Sequence, residues 1–219
     1  MFITFEGIDG SGKSTQAKAL AASLREQGYH VLLTREPGGT PIGEQIRAIV
    51  VENHANTAMM PASELLLFCA SRAQLVGEVI MPFLLEGGIV VCDRYADSTL
   101  AYQGYGHGLD LEALGHILQF ATGGLLPSAT VYLDLEPRIG LERRQRGRLL
   151  QFEEWNRLDD MELTFHQRVY NGYEALIADD PQRWLRVPAH EDAQTVEKLV
   201  WKALKPRLPK KPAKKKKRS

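Results

Sequence analysis

Residues 5–15 read FEGIDGSGKST, and within them Gly7, Gly12, Lys13 and Ser14 fit the spacing G-x-x-x-x-G-K-[ST]. Each residue type has a chemical reason to be there. Glycines let successive backbone N–H groups curl around phosphate oxygens, and a helix starting just after adds the partial positive charge of its N-terminus. The lysine can bridge the β- and γ-phosphates of a nucleoside triphosphate, and the serine hydroxyl can hold Mg²⁺. A coincidental glycine-rich turn competes with this reading. Typical residue frequencies give about a one per cent chance of the pattern in a chain this long, so nucleotide binding wins. Asp9, an anion inside a loop built for anions, then needs its own explanation.

A phosphate loop defines only a superfamily, and a second site must say what the phosphate is for. No N-K-x-D guanine-reading motif is present, which argues against a GTPase. The stretch VVCDRYADSTLAYQG, 90–104, sets Asp93 and Arg94 at the end of an apolar strand, where open α/β sheets gather ligands. A carboxylate there can hold a metal's water shell, and an arginine can clamp a transferring or accepting phosphate. A surface ion pair at a strand end is the plain alternative; together with the loop, the functional reading is favoured.

The elements that must carry these residues follow from periodicity. Residues 2–6, 30–36, 88–95, 128–136 and 182–189 are short apolar or β-branched runs and predict strands. Ala17, Leu20, Ala21 and Leu24 recur at helical spacing before Gly28, and further helices are predicted over about 62–85, 111–121, 159–178 and 191–204. Strands alternating with long helical crossovers predict an α/β three-layer fold: a parallel five-stranded sheet flanked by helices. The arginine-rich segment 143–157 interrupts the pattern and is the candidate lid.

Composition sets the outer limits. The 219 residues are 44% hydrophobic and 25% charged, ordinary for a globular protein with one core and a lid. No apolar run approaches a membrane span and no signal-peptide pattern opens the chain, so a cytoplasmic protein with no membrane partner is expected. Cys69 and Cys92 read as buried free thiols, and the scattered histidines suggest no zinc site. The zero net charge conceals a basic tail. Residues 205–219 carry nine of the 27 Lys+Arg and no acid, leaving 18 basic against 27 acidic groups elsewhere. Residues 1–204 are therefore expected to form the functional domain and 205–219 a disordered tail, with any nucleic-acid contact confined to that tail.

Five ordered blocks carry a resemblance: FEGIDGSGKST, TREPGGTPIGEQIR (34–47), LFCASRAQ (67–74), CDRYADSTLAYQG (92–104) and NRLDDMELTFHQRVYNGY (156–173). Spaced in this way the chain resembles the thymidylate kinases of the nucleoside-monophosphate-kinase group, from residue 2 to about 178. The resemblance implies transfer of the γ-phosphoryl of ATP to dTMP, with Mg²⁺, giving dTDP. It implies that Gly7, Ile8, Asp9, Gly10, Ser11, Gly12, Lys13, Ser14 and Thr15 line the ATP phosphates, with Ser14 and Asp93 on the metal, directly or through water. The loop acid of this family meets the acceptor's 3′-hydroxyl, which would turn Asp9 away from the donor.

By the same carry-over Phe68 stacks on thymine, Arg72 bonds its carbonyl, Thr99 and Gln103 meet the pyrimidine edge and Tyr102 packs under the sugar. An aromatic ring there leaves little room for a 2′-hydroxyl. Arg35, Arg47 and Arg94 surround the acceptor phosphate, and Glu36 and Pro37 shape the pocket. Some members carry an arginine inside the loop where this chain has Gly10, so the charge must be met by the lid, from Arg143, Arg144, Arg146 or Arg148, with Arg157 a further candidate. Lys13, Asp93, Arg94, Arg144 and Arg148 form the expected catalytic set. A homodimer through the 62–85 helix is implied as well. The competing functions are a kinase for dUMP or another deoxynucleotide, and a P-loop ATPase that touches nucleic acid through its tail. The apolar LLLFCA run also predicts burial of Leu66 and Leu67.

Overall fold

A computed structural model of the chain describes residues 1–52, 58–149 and 161–210. Strands β1 (Phe2–Glu6), β2 (Val31–Arg35), β3 (Ile89–Asp93), β4 (Ala129–Asp134) and β5 (Trp184–Pro188) form one parallel sheet in the order β2-β3-β1-β4-β5. β1 and β3 are buried almost throughout, as strands covered on both faces must be. One face packs Ile3, Phe5, Val91, Val131 and Leu133 into the main core. The other sets Phe2, Val90 and Cys92 against Leu75, Val76, Ile80 and Tyr95.

Helices α1 (Lys13–Glu26), α6 (Leu111–Thr122), α8 (Leu163–Asp179) and α9 (Ala193–Leu204) fall where periodicity predicts them. In α1 the apolar stripe Ala17, Leu20, Ala21, Leu24 is buried. The predicted helix over 62–85 is one 25-residue rod made of α3 (Pro61–Leu75), a π-helical stretch Val76–Ile80 and α4 (Met81–Leu85).

Four expectations need correcting. Leu66 is 57% exposed, because the buried face of α3 carries Glu64, Leu65, Cys69 and Arg72 and Leu66 lies between them on the outer side. The disordered tail expected from residue 205 is ordered at its start: Lys205–Arg207 form a 3₁₀ turn, Leu208 packs against the main core and the Pro209 carbonyl accepts from Tyr29 at 2.9 Å. The arginine-rich segment begins as helix: α7 spans Pro137–Leu149, so 143–149 continues a regular element. The short helices α2 (Pro41–Arg47) and α5 (Ala96–Thr99), with the π-helical stretch Leu100–Gly106 after it, were absent from the periodic pattern altogether. Residues 150–157 of the candidate lid, and 211–219 of the tail, lie outside the described residues.

Register then assembles the site. Phe5 and Arg35 both stand opposite Asp93 in neighbouring strands, so the carboxyl ends of β1, β2 and β3 emerge side by side. Residues 6–15, 35–39 and 93–103 all leave from that edge.

Candidate active site

The phosphate loop leaves β1 and runs into the N-terminus of α1. Gly10 has φ 77°, and a Cβ there would run into the backbone of Gly140 in α7. A Cβ on Gly140 would in turn stand 2.5 Å from the Asp9 carbonyl oxygen. Two glycines thus let α7 rest on the loop, which gives a steric reason for the absence of a side chain at Gly10. Lys13 is buried and donates to the Ile8 carbonyl at 2.7 Å. Burial, and next the nearby Arg94 charge, lower its ammonium to about 8, against the opposing pull of Asp9, Asp93 and Glu6. Such a group is short of a counter-charge, which a phosphate supplies.

The Ser14 hydroxyl donates to Asp93 Oδ2, while Asp93 Oδ1 is enclosed and has no partner. A hydroxyl beside a carboxylate with a spare oxygen fits Mg²⁺, which keeps waters and takes one or two protein ligands besides phosphate. Among the described residues no group of three or more His, Cys, Asp or Glu side chains is arranged to hold a metal by itself.

Asp9 does not face the loop's anion cradle alone. Its Oδ1 accepts from Arg94 at 2.5 Å and its Oδ2 from the Tyr102 hydroxyl at 2.8 Å. Burial would raise this carboxyl, but the charges of Arg94 and Lys13, the Tyr102 hydroxyl and the Arg144 charge outweigh it and hold Asp9 well below the usual carboxylate range. Arg94 also donates to Ser98 Oγ at 3.0 Å and the Gly7 carbonyl at 3.3 Å, and its guanidinium lies 4.9 Å from the Tyr102 ring centre.

The Arg94 backbone carries the strain. Its φ of 70° is the one left-handed value at a non-glycine residue among the described residues, a conformation that costs on the order of 1–3 kcal/mol. Its N–H pairs with the Phe5 carbonyl at 3.0 Å, and the next N–H, of Tyr95, donates to Glu6 Oε1 at 2.8 Å. Glu6 is fully buried, and its Oε2 accepts from Ser98 at 2.5 Å and Tyr173 at 2.8 Å. Burial, then the Asp97 carboxylate, push Glu6 up to about 7 against the pull of Arg94, Ser98 and Tyr173. Sequence reasoning gave Glu6 no role. The available signal was an acid ending a strand that is otherwise apolar or hydroxylated.

A second buried knot lies beyond Tyr95. Arg72 is 2% exposed; its Nε donates to Glu36 Oε2 at 2.8 Å, its NH1 to Thr99 Oγ1 at 3.0 Å and its NH2 to the Tyr95 carbonyl at 3.1 Å. Glu36, foreseen only as shaping the pocket, is thus the counter-ion of Arg72. Gln103 donates to Glu64 Oε1 at 2.6 Å. Phe68 is half-buried on α3 between Glu64 and Arg72. Thr99 ends α5 and Gln103 lies in the wider winding of the π-helical stretch, and both reach residues of α3.

Other candidates stand further out. Arg35 is half-exposed and pairs with Glu44 at 2.9 Å; Arg47 donates to the Pro37 carbonyl at 3.3 Å. Ser11 is buried, and Thr15 is exposed at the start of α1. In α7, Arg143 donates to the carbonyls of Ala189 and His190 at 2.8 and 2.9 Å, Arg144 lies close enough to act on Asp9, and Arg146 is exposed. The Arg148 side chain and Arg157 lie outside the described residues.

A parallel sheet of this strand order with a phosphate loop after its central strand, facing a second arginine-rich site, defines a P-loop kinase of small phosphorylated acceptors. The thymidylate kinase family profile matches residues 5–200. Thymidylate kinase of Roseiflexus castenholzii is 53% identical, over 95% of this chain and 94% of its own length, and that of Herpetosiphon aurantiacus is 49% identical over 95% and 96%. The crystal structure of thymidylate kinase from Ehrlichia chaffeensis superposes with a TM-score of 0.76 at 33% identity, covering 93% of this chain and 98% of that one. The chain belongs to the thymidylate kinase family.

Proposed function

We propose that the protein transfers the γ-phosphoryl group of ATP to dTMP, giving dTDP, with Mg²⁺. The observation that carries this reading is the partnering of Asp9. The loop's acid is bound by Arg94 and Tyr102, residues that lie beyond the β3 edge, where a nucleotide acceptor would present its sugar and phosphate. ATP lies along the loop with its β- and γ-phosphates at Lys13. Ser14 and Asp93 would hold Mg²⁺, directly or through water, and the ion, when bound, neutralises charge between the phosphate oxygens. dTMP lies with its base against Phe68, Arg72, Thr99 and Gln103, its 3′-hydroxyl at Asp9 and its phosphate at Arg94, with Arg35 and Arg47 at the rim.

The attacking group is already a phosphate oxygen, so no strong base is needed; alignment and charge neutralisation supply the rate. Lys13 and Arg94 approach the transferring group from its two ends. Arg144, with Arg148 further along the same arm, meets the charge that spreads over the equatorial oxygens, and arginines in this role are worth on the order of 10³–10⁵ in rate. Residues 143–157 act as the lid that excludes water, on a domain spanning 1–204 with 205–219 as a basic tail. A cytoplasmic homodimer through α3 and α4 is part of the same reading, supported by Leu66, Met81 and Leu85, which stay exposed on that rod.

The test is direct. With ATP and Mg²⁺ and each nucleoside monophosphate offered in turn, dTMP should be the best acceptor and dTDP the product. Absence of dTDP, or a clear preference for another acceptor, removes the reading.

A further inference from the structure

Glu64 stands apart from the residues already given roles. It is a fully buried acid in the first turn of α3, on the same face as Phe68 and Arg72. Its Oε1 receives the Gln103 amide at 2.6 Å, and His107 Nε2 lies 3.4 Å from the same oxygen. When Glu64 is ionised its carboxylate only accepts hydrogen bonds, so the Gln103 amide turns its NH₂ toward Glu64. Gln103 Oε1 then has no donor among the described residues and is not fully enclosed, so it can take a hydrogen bond from an incoming group.

The neighbouring donors complete an edge. All three Arg72 nitrogens are engaged, with Glu36, Thr99 and the Tyr95 carbonyl, which fixes the plane of the guanidinium. In the dTMP reading Arg72 donates to the base carbonyl and Gln103 Oε1 supplies the acceptor beside it. A 4-oxo pyrimidine presents the complement, an O4 acceptor beside an N3–H donor. A 4-amino pyrimidine presents an amino donor beside a bare N3 acceptor, and mismatches both.

Resting on the dTMP reading above, we propose that Glu64 is a specificity-determining positioning residue. By holding the Gln103 amide nitrogen it aims the Gln103 carbonyl oxygen at the base, so that the pocket accepts pyrimidines with an N3–H and rejects those with a bare N3. In Glu64→Gln the new amide can donate or accept, and Gln103 is free to turn over.

The experiment compares kcat/KM for dTMP and dCMP in the full chain with ATP and Mg²⁺. Glu64→Gln should narrow the preference for dTMP by about tenfold, the scale of one pocket contact. The change should come through the KM for dTMP more than through kcat. In a Gln103→Met background the same substitution should narrow the preference no further, because its route is gone. An unchanged preference in Glu64→Gln, or equal narrowing in both backgrounds, overturns the assignment. Should Glu64→Gln fail to fold, a structure of the unsubstituted protein with dTMP decides. Gln103 Oε1 bonded to N3 with Nε2 still on Glu64 supports the proposal, and a reversed amide overturns it. A protein that does not phosphorylate dTMP at all takes down the parent reading as well, whereas normal dTMP turnover with an inert Glu64 takes down only this one.

Discussion

Arg72 is buried and Arg94 part-buried, and both are already paired, with Glu36 and with Asp9, whereas the arginines of α7 ride on an outer helix whose Arg143 bonds to backbone carbonyls and whose Arg146 is in solvent. Both sets are suited to phosphate and base chemistry, but at different moments. A buried arginine without its carboxylate would be costly, so its position is fixed as the chain folds. An exposed arginine such as Arg146 keeps its charge hydrated and can be recruited when a polyphosphate appears. The acceptor end is therefore built in advance and the donor end is completed by its ligand.

That contrast can be broken on stability. Arg94→Ala leaves the part-buried Asp9 with the Tyr102 hydroxyl as its one direct hydrogen-bond donor, and should lower unfolding stability by about 1–3 kcal/mol, together with a fall in kcat/KM for dTMP on the order of 10³. Urea unfolding and steady-state kinetics measure the two. The same substitution at Arg146, exposed on α7, should leave stability within about 0.5 kcal/mol of the parent. Equal stability losses at both positions would erase the distinction between a prebuilt and a recruited site.

Glu6 sharpens the comparison from beneath, with a smaller effect. Folding raises its pKa from 4.5 to about 7, mainly through burial, so between those values the native state binds the extra proton. Its contribution to stability is therefore full below pH 4.5 and falls as pH rises to 7, by on the order of 3 kcal/mol. Glu6→Gln carries no titrating proton and should flatten that slope. Urea midpoints for the two proteins at pH 5 and pH 8 should converge or cross; parallel lines would mean that Glu6 does not hold its proton in the fold.

Much of this was legible in the residues, and the exceptions share a cause. The five strands were found to within two residues because sheets buried on both faces leave continuous apolar runs. The loop and the Asp93-Arg94 pair were found because their chemistry dictates residue type and spacing. The helix α7 was missed because Arg138, Arg143, Arg144 and Arg146 leave it no apolar stripe; Gly140 against Gly10 and a half-buried Ile139 hold it instead. α2 and α5 are too short for a periodic signal. Glu36, Glu64 and Glu6 went unassigned as partners because pairing of a buried acid depends on what the fold brings to it from far along the chain: 36 residues to Arg72, 39 to Gln103, 167 to Tyr173.

The central claim is that Asp9, although inside the phosphate loop, belongs to the acceptor. A structure of the protein with dTMP and a non-hydrolysable ATP analogue tests it most directly. The expected result has the thymidylate 3′-hydroxyl on Asp9, its phosphate on Arg94 and the donor's γ-phosphate on Lys13. A thymidylate bound elsewhere, or an Asp9 turned away from its sugar, would contradict the account.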